Sequence, residues 1–238
     1  MKNKRIIISI IILWSIGPFL WQLYTSFSTN SAILSAGEWG SQRWTLENYF
    51  NLIYSDPPFY KYLLNSFILG ILSTILTLFL SLPAAYTIAR IKEKVSNIFK
   101  ILYLAAALLP YFLLFLSLLE IARDYNLGNN IYALSIPYAG LSLPLSVLLL
   151  TAAFKDIPKE LEEVSILEGF NVFQRLKWIL LPLISPATAS TAIIVFLFSW
   201  NEYPIALTWL TKSDIITLPV AIARIAGSSI FTVPYGTY

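Results

Sequence analysis

The chain has 238 residues, 57% of them hydrophobic and only 12% charged, with a mean hydropathy of +0.70. A soluble domain carries roughly twice that share of charged residues, so the composition is that of a polytopic helical membrane protein. Cysteine and histidine are both absent, which excludes disulfides, thiolate nucleophiles, the usual zinc sites and histidine-based acid–base chemistry.

Lys2, Lys4 and Arg5 run directly into the apolar stretch IIISIIILWSIGPFLWQLYTSF. A signal peptide has the same basic-then-apolar order. This run is too long for one and no small-residue cleavage site follows, so an uncleaved first span over about residues 6–27 is expected. Residues 28–61 are polar, with Gly37, Gly40, the Asp56-Pro57-Pro58 break and the aromatics Trp39, Trp44 and Tyr49; they read as a compact outer loop. Residues 62–89 form a second span, long enough to tilt, with Pro83 expected to bend its inner end. A short basic loop with Arg90, Lys92, Lys94 and Lys100 follows.

A third span is expected over 99–120, with Pro110 near its middle. The turn-forming residues Asn126, Gly128, Asn129 and Asn130 close it. The fourth, 131–154, is expected to be interrupted by Pro137, Gly140 and Pro144, and the fifth runs over 179–200 to Trp200-Asn201-Glu202-Tyr203-Pro204. Each span exceeds or approaches the ~20 helical residues that cross a bilayer core. The remainder, 210–238, is a mixed outer segment that includes TLPVAIA at 217–223. With the N-terminus inside, eleven of the 16 basic residues fall in inner segments. The positive-inside rule therefore favours a cytoplasmic N-terminus and accounts for the net charge of +3 without nucleic acid.

The longest charged segment is the inner loop 155–178. Pro158 suits a helix start, and Leu161, Val164 and Leu167 recur as one apolar stripe, with Glu160, Glu162, Glu163 and Glu168 elsewhere on the helix. Gly169 permits a left-handed or tightly packed turn. Asn171 followed by Gln174 resembles a capping box that opens a second helix, which Pro182 is expected to bend into the membrane. A helix lying on the bilayer surface favours lysine and arginine on its polar face. This one is acidic and would be repelled by an anionic leaflet, so a protein partner explains it better.

Glu163, Gly169, Ile179, Leu181 and Pro182 form the pattern E-x5-G-x9-I-x-L-P. It resembles the signature of permease subunits of binding-protein-dependent ABC importers. NSF at 65–67, LPAAYTIAR at 82–90, IPKELEEVSILEG at 157–169, SWNEY at 199–203 and TLPV at 217–220 are similar to the carbohydrate, maltose-type branch. The resemblance covers most of the chain. Val164 and Ser165 depart from it, standing where the family has alanines.

The resemblance implies an all-α type I importer permease fold as a single transmembrane domain, multi-pass in the cell (inner) membrane. Five spans are visible, and a sixth is expected beyond Tyr238, because an odd number would leave one face of the bundle unpacked. It implies that the first loop helix is a coupling helix docking on an ATPase, with Glu160, Leu161, Glu162, Glu163, Val164, Ser165, Leu167, Gly169, Ile179, Leu181 and Pro182 as the ATPase-coupling set. The implied partners are a second permease, a dimer of ATP-binding subunits, an extracytoplasmic solute-binding protein and membrane lipid. No phosphate-cradling G-x-x-x-x-G-K-[ST] loop occurs, so this chain is expected to bind no cofactor and no metal, with ATP and Mg on the partner ATPase. It would be a transport subunit and not an enzyme.

Asn201, Glu202 and Tyr203 are the polar group at the end of an apolar span. They either line the outer pathway or contact the binding protein, or they sit at the outer interface with no special role. The prolines in or beside the spans are either gating breaks or ordinary kinks. The resemblance to maltose-type permeases implies that segment 213–230 is a further place to meet the binding protein. Two rival functions stand beside a sugar importer. One is an importer for another solute, such as a polyamine, phosphate or amino acid. The other is an ion-coupled secondary transporter, which needs ionisable residues near the membrane midplane; Glu120 and Glu202 sit near span ends.

Overall fold

The computed structural model describes residues 2–29 and 44–227, so the expected outer loop 28–61 and outer segment 210–238 are described only in part. In chain order the helices are α1 (Lys2–Ser26), α2 (Glu47–Ile53), α3 (Phe59–Arg90), α4 (Glu93–Leu108), α5 (Phe115–Asp124), α6 (Ile131–Lys155), α7 (Lys159–Leu167), α8 (Val172–Arg175), α9 (Leu181–Leu183), α10 (Ser185–Asn201), α11 (Pro204–Trp209) and α12 (Leu218–Gly227). A 3-10 turn, Tyr111–Leu114, precedes α5, and a π turn, Leu176–Leu180, precedes α9. Among the described residues the only extended pairing is one antiparallel bridge, Ser28 to Trp44.

The chain falls into two compact units, residues 1–62 with 220–238, and residues 63–219. In the first, α1 runs through the expected first span with Pro18 inside it. Its end is fastened by Asn48, whose amide donates to the carbonyls of Ser26 and Ser28 at 3.0 Å each. Around this joint Tyr24 meets Trp44 edge-on, and Phe27 packs on Tyr49.

The second unit holds helices that are apolar enough to cross a bilayer. Among the described residues α3 and α6 each qualify alone, and two bent pairs qualify together. In α4–α5 the chain turns by 77°. Pro110 has no N–H to continue the helix, and Leu109 before it is driven to extended backbone (φ −65°, ψ 130°). The expected third span, with Pro110 near its middle, is therefore two helices meeting at a corner. The second pair, Val172–Leu183 and α10, turns by 83°. Here the bend lies at Ile184, ahead of Pro186, and not at Pro182. The π turn over Leu176–Leu180 widens the backbone where the Pro182 ring would meet the carbonyl of Trp178. The expected interruption of the fourth span does not occur either. Helix α6 runs unbroken for 25 residues with Pro137 and Pro144 inside it.

Helix α6 is the hub, packing against both α4 and α10. In an apolar medium hydroxyls must find partners inside the protein. Ser73, Thr74 and Thr77 on α3 donate to carbonyls one turn back (2.8, 2.7 and 2.7 Å), as do Ser146 on α6 and Thr191 on α10. Gly70 on α3 admits the ring of Phe196 from α10: a Cβ built there would lie 2.7 Å from Cε2 of that ring. Gly70→Leu is accordingly expected to cost about 1–3 kcal/mol through overpacking. The check is the thermal midpoint in detergent, which should fall with Gly70→Leu and recover in part when Phe196→Ala is added.

Candidate functional site

The loop between α6 and α10 holds most of the expected site residues. Lys155 ends α6, and Pro158 (φ −56°, ψ 135°) caps α7 from outside, so the helix begins at Lys159, one residue past the proline. Glu160 and Glu162 lie in the first turn, where the free N–H groups favour negative charge. Gly169 then stands at φ +85° with nothing within 4 Å of its missing Cβ. Of the two readings of that glycine, the structure supports the left-handed turn and not tight packing. The N–H of Phe170 bonds the carbonyl of Ser165 and that of Gly169 bonds Ile166, which closes the C-terminal end of α7. Asn171 and Gln174 form the expected capping box, Oδ1 of Asn171 accepting from Gln174 N at 2.9 Å and Oε1 of Gln174 accepting from Asn171 N at 2.8 Å.

The rotational setting of α7 is the informative feature. One face, Glu162 and Ser165, is buried at 8% and 2% exposure. The carboxylate of Glu162 is ion-paired with Arg90, the last residue of α3. It also accepts from Tyr86 Oη at 3.1 Å, and Arg90 Nη2 reaches the carbonyl of Ile157 at 3.4 Å. Beneath the pair lies an apolar cluster of Ala85 and Ile88 from α3, Leu150 and Phe154 from α6, and Leu180 and Ile184 from the bent segment. The opposite face of α7 is the apolar stripe. Leu161, Val164 and Leu167 all point outward, Leu167 at 87% exposure, joined by Ile166, and Val172 and Phe173 of α8 are exposed as well.

The expected coupling residues therefore divide into three groups. Glu160, Leu161, Glu163, Val164 and Leu167 are exposed together on α7, while Glu162 and Ser165 face the protein interior. Of the downstream motif, Ile179 and Leu181 are half-buried and Pro182 is exposed. Arg90 and Tyr86, which hold Glu162, were no part of the expected set. The one available signal was an arginine ending an apolar span beside a loop rich in carboxylates.

Asn201, Glu202 and Tyr203 do not act as one group. Asn201 is exposed and its amide donates to the carbonyl of Leu197 at 2.8 Å, and Tyr203 is exposed beside it. Glu202 is 4% exposed. Its carboxylate accepts from the hydroxyl of the fully buried Tyr138 and from the backbone N–H groups of Ile205 (2.9 Å) and Ala206 (3.1 Å). Glu202 is thus the acid that caps α11 and fastens it to α6. An acid two residues before a proline that opens a helix was the signal for this role.

At the other end of α6 from α7, about 37 Å away at 1.5 Å per residue, α5 and α11 flank a cleft of about 650 Å³. Its wall is pinned by Asn129 (φ 58°), whose Oδ1 accepts from Thr211 N (2.7 Å), Lys212 N (3.0 Å) and Thr211 Oγ1 (3.0 Å). Arg123 and Asn126 stand at its rim. Among the described residues no group of His, Cys, Asp and Glu side chains is placed to hold a metal ion.

Comparison with known proteins follows the same lines. Residues 78–234 match the model of a family described as binding-protein-dependent transport system inner membrane component. The chain is 34% identical over 227 residues to the sulfoquinovosyl glycerol transport system permease protein SmoH of Agrobacterium fabrum, an alignment covering 95% of this chain and 79% of that one. It is 36% identical over 214 residues to the trehalose/maltose transport system permease protein MalG of Thermococcus litoralis, covering 88% and 76%. Among solved structures, a bacterial ABC transporter involved in the import of the acidic polysaccharide alginate superposes on 99% of this chain and 88% of its own, with a TM-score of 0.80 at 18% identity.

The open space around Gly169 makes its backbone the only obstacle to substitution. Gly169→Ala is expected to destabilise the α7–α8 turn by about 1–2 kcal/mol, and Gly169→Asn by less, since asparagine tolerates this conformation. Limited proteolysis of the loop should rank the variants in that order.

Proposed function

This chain belongs to the family of binding-protein-dependent transport system inner membrane components. On that premise we propose that it forms half of the membrane pathway of an ATP-driven importer for a sugar or oligosaccharide. A second, similar permease completes the pathway, an extracytoplasmic binding protein delivers the solute, and a dimer of ATPase subunits on the cytoplasmic side holds ATP and Mg. The N-terminus and α7 lie on the cytoplasmic side, and the cleft beside Asn129 lies on the outer side.

The observation that carries this reading is the orientation of α7. A short helix that turns its carboxylate inward and its leucines outward has left about three apolar side chains without cover. Burying each is favourable by about 1.5–3 kcal/mol, so the face is built to be covered. The flanking Glu160 and Glu163 disfavour an anionic lipid surface as the cover. A groove on a protein suits an apolar helical stripe of this i, i+3, i+6 spacing. We therefore assign Leu161, Val164 and Leu167, with Glu160 among them and Glu163 at their edge, as the ATPase-docking face. Closure of the ATPase dimer around ATP moves this face, and the membrane helices change from inward-open to outward-open. The permease makes and breaks no covalent bond.

The sugar assignment rests on the named transport roles of the relatives and on SWNEY and TLPV. Asn201 and Tyr203, exposed at the outer end of α10, remain the candidates for the pathway or for the binding-protein contact, and Glu202 holds the backbone that presents them.

The test is a pull-down of the tagged protein in mild detergent from its native membrane, with Leu161→Asp and Val164→Asp combined. The ATPase and a second permease are expected to co-purify with the unaltered chain. The double variant should lose the ATPase by about a hundredfold or more, since each buried hot-spot contact contributes at least about 2 kcal/mol, and should keep the second permease. Retention of the ATPase by the double variant would remove the docking face assigned here.

A further inference from the structure

We propose that Arg90, Tyr86 and Glu162 form a fixed joint by which motion of α7 is delivered to the membrane helix α3. The inference rests on the docking reading above and assigns Glu162 to a different task from its neighbours: it holds α7 to a membrane helix and does not touch the ATPase.

The backbone at either end of α7 is a poor transmitter of force. At the N-terminal end the chain leaves α6 through Asp156 and Ile157 and turns extended at Pro158, which has no N–H to donate. At the C-terminal end it passes through Gly169, left-handed and free of side-chain contacts. At neither end does the helix continue unbroken into a membrane helix. The side-chain link leads elsewhere, to a helix that lies 72 residues earlier in the sequence.

That link has the properties of a rigid connection. Arg90 is largely buried, with 16% of its side chain exposed against 11% for Glu162. Its guanidinium is planar and always charged. Its Nε and Nη2 both meet the carboxylate, while Nη2 also meets the carbonyl of Ile157. The second carboxylate oxygen is held by Tyr86, one turn earlier on α3, and the Tyr86 ring packs edge-on against Phe154 of α6 at 5.6 Å. A charge pair in so little water is held together far more strongly than one at the surface, and removing one partner strands the other. Helix α3, 32 residues and about 48 Å long in all, ends at this joint and runs back from it through the membrane. A displacement of α7 entering at Arg90 moves the end of that long helix.

The joint predicts loss of coupling when either charge is removed and recovery when the charges are exchanged. The chain has no cysteine, so Leu64→Cys, an exposed position near the outer start of α3, carries a single bimane reporter. The complex with its ATPase and second permease is read for the fluorescence change caused by MgATP plus vanadate, which needs no transported solute. Glu162→Gln and Arg90→Gln should each cut the change at least about fivefold, the scale of ordinary coupling between sites. The ATPase should still co-purify with both, because a glutamine at either position can still hydrogen-bond the remaining partner and keep the Glu162–Ser165 face of α7 turned inward. The charge-exchanged pair, Arg90→Glu with Glu162→Arg, should recover the response to within about twofold of the unaltered complex, on the premise that contacting residues couple. An unchanged response in the single variants overturns the joint. So does loss of the ATPase from Glu162→Gln, which would place Glu162 in the docking face, and so does an exchanged pair as weak as the singles. Failure of the unaltered chain to retain an ATPase would instead overturn the docking reading itself.

Discussion

A carboxylate taken out of water must be met by a cation or by hydrogen-bond donors, and in this chain that constraint sets the orientation of the helix on which the function depends. Glu162 can be buried because Arg90 and Tyr86 wait at the C-terminal end of α3. With Glu162 turned inward, the helical period leaves Leu161, Val164 and Leu167 facing away from the protein. Had Glu163 been the buried acid, α7 would be rotated by about 100°, and the apolar stripe would no longer stand clear. One ion pair thus decides which face of a nine-residue helix a partner meets.

The rest of the second unit makes that placement possible. Around the C-terminal ends of α3 and α6 the apolar cluster under Arg90 supplies a firm seat, to which the bent segment adds Leu180 and Ile184. Farther along the bundle the packing uses small residues and self-satisfied hydroxyls, with Gly70 accepting the Phe196 ring and Ser73, Thr74 and Thr77 of α3 bonding their own helix. At the far end of α6, Glu202 repeats the solution used at Glu162. It is a buried carboxylate satisfied by a tyrosine hydroxyl, but with two backbone N–H groups in place of the arginine.

Much of this was legible in the sequence. Apolar runs identified the helical membrane body, and a matching family model and relatives agree with the resemblance drawn from the loop motif. The two loop helices, the glycine between them and the Asn171–Gln174 capping box followed from local rules that act within a few residues. What could not be read depends on partners distant in sequence. Glu162 and Glu163 are indistinguishable until Arg90 is brought beside one of them. Glu202 stood out as a polar residue in an apolar span, but its role needs Tyr138 from another helix. Proline was the other source of error: Pro137 and Pro144 leave α6 whole, and the bend expected at Pro182 lies at Ile184. The outcome rests on whether the surrounding structure can hold the freed carbonyls.

The most direct measurement is the chemical accessibility of Leu167 in the assembled transporter. It is the most exposed side chain of the docking stripe, and in a chain without native cysteine Leu167→Cys is a unique label. A maleimide should react freely with the permease alone and at least about tenfold more slowly once the ATPase is bound, because hot-spot contacts are desolvated on docking. Equal labelling with and without the ATPase would show that this face is not where the two proteins meet, and would contradict the account.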